Sequence, residues 1–190
     1  MRYFPSLLVA VMALAVGIGA QAQTPDYGNV GRTATQEEIQ ALDTAVSPEG
    51  KGLPPGHGTA PEGAKIFAQK CAVCHGPNLE GGKNGPALTG GNGTLTTLHP
   101  VKSIGSFWPY ATSLWDHINR AMPLYKPGSL TANEVYALTA FLLYRNGIVR
   151  ESEVLDAKSL PKIQMPNHDG FVPSRIEDIR RWRCPGGHCP

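Results

Sequence analysis

Residues 71–75 read Cys71-Ala72-Val73-Cys74-His75. C-x-x-C-H is the covalent attachment sequence for c-type haem. The spacing suits the chemistry. Each thiol adds to one haem vinyl group to form a thioether, and two intervening residues let both sulfurs act from one helical turn. His75 follows at once, which brings its imidazole under the iron as the proximal ligand. A redox dithiol is an alternative, but it leaves His75 without a task. Half of a zinc site is another, with Cys184 and Cys189 as the remaining ligands. The sequence contains one such motif, which predicts one haem c.

The position opposite His75 decides what such an iron does. A methionine thioether raises the potential and suits electron transfer, whereas an open position admits external ligands. After the first 22 residues the available methionines are Met122, in RAMPLY, and Met165, in IQMPNHDGF. Both precede proline, so the dipeptide does not choose between them. His99 and His117 are the histidine alternatives. Trp108, Tyr110 and Trp115 flank the Met122 region. They either pack on a porphyrin and hydrogen-bond its propionates, or fill a core as buried aromatics commonly do.

Cys184 and Cys189 lie in the closing RCPGGHCP. Four residues separate them and no histidine follows Cys189, so this is not a second haem site of the usual form. In an oxidising compartment a local disulfide is favoured, and Pro185-Gly186-Gly187 suits the tight loop it needs. A metal site or reactive pair including His188 is the alternative.

These residues need elements to position them. A helix is expected from Pro61 to about Ala72: proline suits the first helical position, and Ala64, Phe67, Ala68 and Cys71 recur on one face. It delivers the cysteines and His75 from its C-terminal end. Residues 76–95 are dense in Gly and Pro and read as a loop wrapping a haem edge. A second helix is expected over Ala111–Arg120, with Leu114, Trp115 and Ile118 on one face. A third runs from Thr131 to Tyr144: Thr131 and Glu134 form a capping box, Val135, Leu138, Phe141 and Leu142 form the apolar stripe, and Asn146-Gly147 ends it. In the arm, Thr35 caps a short helix over QEEIQALD. A further short helical stretch is expected near Ile176–Arg183.

Residues 1–22 have Arg2, an apolar run from Leu7 to Ala20, and Ala20-Gln21-Ala22 as a cleavage site, the pattern of a secretory signal peptide. The run falls short of the roughly 20 residues a membrane span requires, and no later segment is apolar enough. A periplasmic protein without a membrane span after cleavage is expected. The organisation then reads 1–22 signal peptide, 23–59 extended arm on the domain surface, 60–148 haem domain, and 149–190 irregular extension with the cysteine pair. Net charge is +2, with 17 basic and 15 acidic residues, which argues against nucleic-acid binding. The 22 glycines and 17 prolines among 190 residues, about one residue in five, predict much loop.

Helix, CxxCH, Gly/Pro loop, Met-Pro and a C-terminal helix together resemble a class I cytochrome c over roughly residues 60–148, which implies an all-α fold. That resemblance favours Met122, 47 residues after His75 and just before the last helix, as the distal ligand, with Met165 as the alternative. Asn84-Gly85-Pro86-Ala87-Leu88 resembles the N-G-P-x-L segment of such cytochromes, which implies that the Pro86 carbonyl accepts a hydrogen bond from His75. A narrower resemblance is to the SoxD-type cytochrome c subunit of sulfur (sulfite) dehydrogenases. It rests on residues 27–59, on IGSFWPYATSLWDHINRAMPLYKPGSLTANEVYALTAFLLYRNGI (104–148), on LPKIQMPNHDGFVP (160–173) and on the closing cysteine pair. SoxD-type subunits typically carry a second haem domain, and one CxxCH here implies a single-haem form. The resemblance implies a partner, a SoxC-like molybdenum sulfite dehydrogenase on which the substrate chemistry occurs. The cytochrome would pass its electrons to a downstream cytochrome or oxidase.

Overall fold

The computed structural model describes residues 30–172. The signal segment 1–22, the stretch 176–183 and the Cys184/Cys189 pair lie outside the described residues. The chain divides into two compact units, Met1–Leu42 and Asp43–Pro190. Within the first, helix α1 spans Gln36–Leu42. Thr35 and Glu38 cap it reciprocally: Thr35 N–H donates to Glu38 Oε2 at 2.9 Å, and Glu38 N–H donates to Thr35 Oγ1 at 3.2 Å. This is the helix that Thr35 marks in the sequence.

The second unit contains strand β1 (His57–Thr59), helices α2 (Ala60–Lys70), α3 (Ala72–His75), α4 (Ile104–Phe107), α5 (Ala111–Ala121) and α6 (Ala132–Arg145), strand β2 (Val154–Asp156), and a 3-10 turn at Leu160–Lys162. The three expected helices correspond to α2, α5 and α6. Pro61 stands in the first turn of α2. Thr131 caps α6 reciprocally with Glu134, whose Oε2 accepts the Thr131 N–H at 2.8 Å.

The frame is the crossing of α2 and α6. Gly63 lies against the Ala137 backbone so closely that a Cβ there would overlap the Ala137 carbonyl. Glycine is required because the helix backbones meet at that point. One turn on, the rings of Phe67 and Phe141 pack at 5.4 Å. Lys70 Nζ reaches Glu134 Oε1 at 2.6 Å. The buried residues of α6 include Val135, Leu138 and Phe141, the apolar stripe read from the sequence.

The arm and the irregular extension each send a few residues into the packed core. Val46 is buried, and β1 pairs antiparallel with β2 in the register His57↔Asp156, Gly58↔Leu155, Thr59↔Val154. Beyond α6, Leu155, Leu160 and Met165 are buried in the same apolar cluster. Strands of three residues are too short to display a period of two. The buried side chains of residues 154–165 are single apolar residues spaced through polar sequence. α4 was also not foreseen; its Ser103 and Ser106 cap one another, with Ser103 N–H donating to Ser106 Oγ at 2.8 Å. Among the described residues, no helix is long and apolar enough to cross a membrane.

Candidate haem site

α2 ends at Lys70, and the chain turns directly into the four-residue helix α3. Cys71 O accepts from both Cys74 N–H and His75 N–H at 3.1 Å, so one turn holds the whole motif. Cys71 and Cys74 are free thiols, half-buried, while Val73 between them is 84% exposed. Burial pushes the Cys71 thiol up to about 11. It is therefore protonated at neutral pH, the opposite of the lowered thiol pKa that activates redox dithiols.

His75 Nδ1 lies 2.9 Å from the Pro86 carbonyl oxygen. A carbonyl only accepts, so Nδ1 carries the proton and Nε2 keeps its lone pair for a metal. The Gly/Pro loop is shaped to make this contact. Gly81 N–H donates to His75 O at 2.8 Å and Gly82 N–H to Gly85 O at 2.9 Å. Gly85 sits so close that a Cβ would lie 3.0 Å from both His75 Nδ1 and Cys74 O. Leu79 is fully buried with φ of 65°, a left-handed conformation that is uncommon for a non-glycine residue. Asn146 fastens the far end of the loop, donating from Nδ2 to Leu88 O at 3.1 Å and to Leu142 O at 2.8 Å.

α5 carries the other expected residues. Met122 is its C-terminal cap and is half-buried. Asp116 anchors the helix: Oδ1 accepts Val46 N–H at 3.1 Å and Arg120 Nε–H at 2.8 Å. Burial opposes ionisation of this carboxyl, but Arg120 and the Val46 N–H outweigh it and hold the group below the usual carboxylate range. Thr112 Oγ1 donates to Pro48 O at 3.1 Å. Trp115 is buried against Tyr136, with rings 5.4 Å apart, and its Nε1–H finds no acceptor among the described residues. Trp108 and Tyr110 are half-buried. Trp108 packs edge-on against His117 at 5.4 Å, and Tyr110 against His168 at 5.3 Å.

Met165 is brought elsewhere. It is 1% exposed, within the apolar cluster. The segment around it is tied to the α4–α5 corner: Tyr110 bridges Gln164, Asn167 Nδ2 donates to Phe107 O at 2.8 Å, and Phe107 packs on Phe171. His99 is exposed.

A family model for cytochrome c matches residues 60–146. Among solved structures, a chain of the sulfane dehydrogenase SoxCD from Paracoccus pantotrophus is 45% identical, with a TM-score of 0.71; the match covers 79% of this chain and 74% of that one. The chain is a class I c-type cytochrome. Its resemblance within that class is to the SoxD-type subunit. Cytochrome cL from Hyphomicrobium denitrificans is 20% identical over 82% of this chain and 79% of its own, at a TM-score of 0.32, a likeness too slight to build on. No curated protein matches the chain.

The cytochrome's class implies covalently bound haem c and a role in electron transfer. The residues present fit such a group. Two free thiols and an imidazole with a fixed tautomer share one turn, and a buried indole N–H stands ready for an acceptor, since buried donors are rarely left unpaired. The sequence pointed to the thiols, His75 and Pro86. It did not single out Leu79, Gly85 or Asn146. For Gly85 and Asn146 the available signal was position, in N-G-P-x-L and at a helix end.

Proposed function

We propose that the chain is an exported, periplasmic monohaem cytochrome that accepts electrons one at a time from a molybdenum sulfite dehydrogenase of SoxC type. It delivers them to a downstream cytochrome or oxidase. The observation that carries the reading is the 45% identity to a SoxCD chain across three-quarters of that chain's length. On this reading substrate chemistry belongs to the partner, and the cytochrome is not itself the catalyst.

Cys71 and Cys74 would hold the haem through thioethers, with His75 Nε2 as the proximal ligand. Bound haem supplies the one-electron ferric/ferrous couple. The Pro86 carbonyl orients the His75 ring and raises its donor strength. Met122 Sδ is assigned the distal position. Its half-buried place at the end of α5 supports this, as does the enclosure of Met165 in the apolar cluster. A thioether ligand suits electron transfer rather than ligand binding. Trp115 Nε1–H is a donor for a propionate. The exposed Val73 between the two cysteines, with Met122-Pro123, forms the contact edge for partners. Cys184 and Cys189 are assigned a local disulfide.

The test is reduction of the oxidised holo-protein by sulfite, alone and with periplasmic extract from the source cells. Fast reduction only with extract is expected. No reduction with an extract that oxidises sulfite through other acceptors would remove the sulfite dehydrogenase from the reading.

A further inference from the structure

Among the described residues, Leu79 is the one non-glycine residue with a left-handed backbone, at φ of 65°. Its side chain is 0% exposed and belongs to the apolar cluster. A residue with a Cβ adopts that conformation at a cost, and it persists only where the surroundings over-determine it. Here the surroundings are the base of the Gly/Pro loop. Leu79 N–H donates to Gly76 O at 3.2 Å, directly after the CxxCH turn, and Leu79 O accepts Leu88 N–H at 2.9 Å. These bonds turn the chain at Leu79 and close the loop over residues 79–88. Inside it the two limbs touch. A Cβ on Gly81 would stand 2.6 Å from Ala87 N and 2.9 Å from the Pro86 carbonyl carbon. Gly82 N–H donates to Gly85 O at 2.9 Å, and Gly81 N–H ties the first limb to His75 O at 2.8 Å. The second limb sets the Pro86 carbonyl oxygen 2.9 Å from His75 Nδ1.

We infer that Leu79 is a positioning residue for His75: its buried side chain holds the left-handed turn that keeps the Pro86 carbonyl on His75 Nδ1–H. Burial of the leucine offsets the cost of the conformation. Without that burial the backbone is driven back to negative φ, and Leu79 O swings away from Leu88 N–H. Pro86 lies two residues before Leu88, so its limb then loses its fixed distance to the imidazole. The chemical consequence falls on Nε2. Donation from Nδ1–H to a carbonyl makes the ring a stronger donor to a metal, and a stronger donor favours ferric over ferrous iron. Releasing Leu79 therefore moves the one-electron equilibrium toward the ferrous state. The net worth of one hydrogen bond bounds that movement at about tenfold, which is about 59 mV for one electron.

The inference rests on the haem reading, which the visible spectrum of the purified holo-protein tests separately. The experiment compares the potentials of three holo-protein variants with wild type. Leu79→Ala loses the leucine but keeps a Cβ that resists the turn. Leu79→Gly loses the leucine and adopts the turn freely. Leu160→Ala removes an equally buried leucine of the same cluster, outside the loop, and so reads lost packing alone. All three should be less stable than wild type. The potential should rise in Leu79→Ala, rise less in Leu79→Gly, and stay unchanged in Leu160→Ala. A Leu79→Ala potential equal to that of Leu160→Ala overturns the inference, and so does an equal shift in Leu79→Ala and Leu79→Gly. Should Leu79→Ala not load haem, hydrogen exchange in the wild-type holo-protein decides. His75 Nδ1–H and Leu88 N–H should open together, with one dependence on denaturant. An Nδ1–H that opens while Leu88 N–H stays protected overturns the inference, because the closed loop would not then be what holds it.

Discussion

The chain contains two Met-Pro segments of nearly the same appearance, Met122-Pro123 and Met165-Pro166, and the fold treats them differently. Met122 ends α5, half-buried, and is followed by the exposed Leu124 and Tyr125. Met165 lies in the segment after β2, 1% exposed, flanked by a backbone bridge to Tyr110 and by the Asn167 bond to Phe107. A thioether enclosed in an apolar cluster is a core filler. The half-buried thioether at the end of α5 is not enclosed in that way. The difference teaches that a metal-ligand motif of one residue has no meaning until its surroundings are known.

That contrast can be broken most sharply at Met122. Met122→Ala should open the iron, let carbon monoxide bind the ferrous form readily, and lower the potential on the order of 0.1 V, within the roughly 0.8 V that axial ligands command. If that variant kept its spectrum and potential while Met165→Ala altered both, the assignments would have to be exchanged. Met165→Ala should otherwise keep the wild-type spectrum and lose about 2–5 kcal/mol of stability, the usual range for a buried methionine truncated to alanine. Thermal or denaturant unfolding of the holo-protein reads that directly.

Smaller changes sharpen the comparison. Asp116→Asn loosens the helix that presents Met122 and should cost about 1–2 kcal/mol near neutral pH, since it weakens a charge-assisted bond to Arg120. Its sign with pH follows from the depressed folded-state value. The contribution is present above the unfolded carboxyl value of about 3.9 and is lost as pH falls through the lower folded one. The stability gap between Asp116→Asn and wild type should therefore narrow in acid. Asn167→Ala releases the other segment from Phe107 and should cost about 1 kcal/mol with no spectral change. A spectral change there would mean that the Met165 segment bears on the iron after all.

Much of the site was legible because its chemistry is local. The CxxCH motif occupies five consecutive residues, and the capping box at Thr131 and the α2 and α6 stripes are read within one helix each. The class I resemblance carried the Pro86 contact across eleven residues, and the structure has it at 2.9 Å. The burial of Val46 in the arm and of Leu155, Leu160 and Met165 in the extension was not legible, because it comes from partners far along the chain. Val46 N–H finds Asp116 seventy positions away, and β1 pairs with a strand nearly a hundred residues later.

The sequence by itself determined the CxxCH turn, three helices and the class of cofactor. Each depends on side chains within hydrogen-bonding or one-turn reach along the chain. Tertiary structure alone decided which methionine is enclosed, where Gly63 lets two helices meet, and how Asp116 and Asn167 hold α5 and the α4–α5 corner. Those outcomes depend on distances between segments that the order of residues does not encode locally, and only the packed chain supplies them.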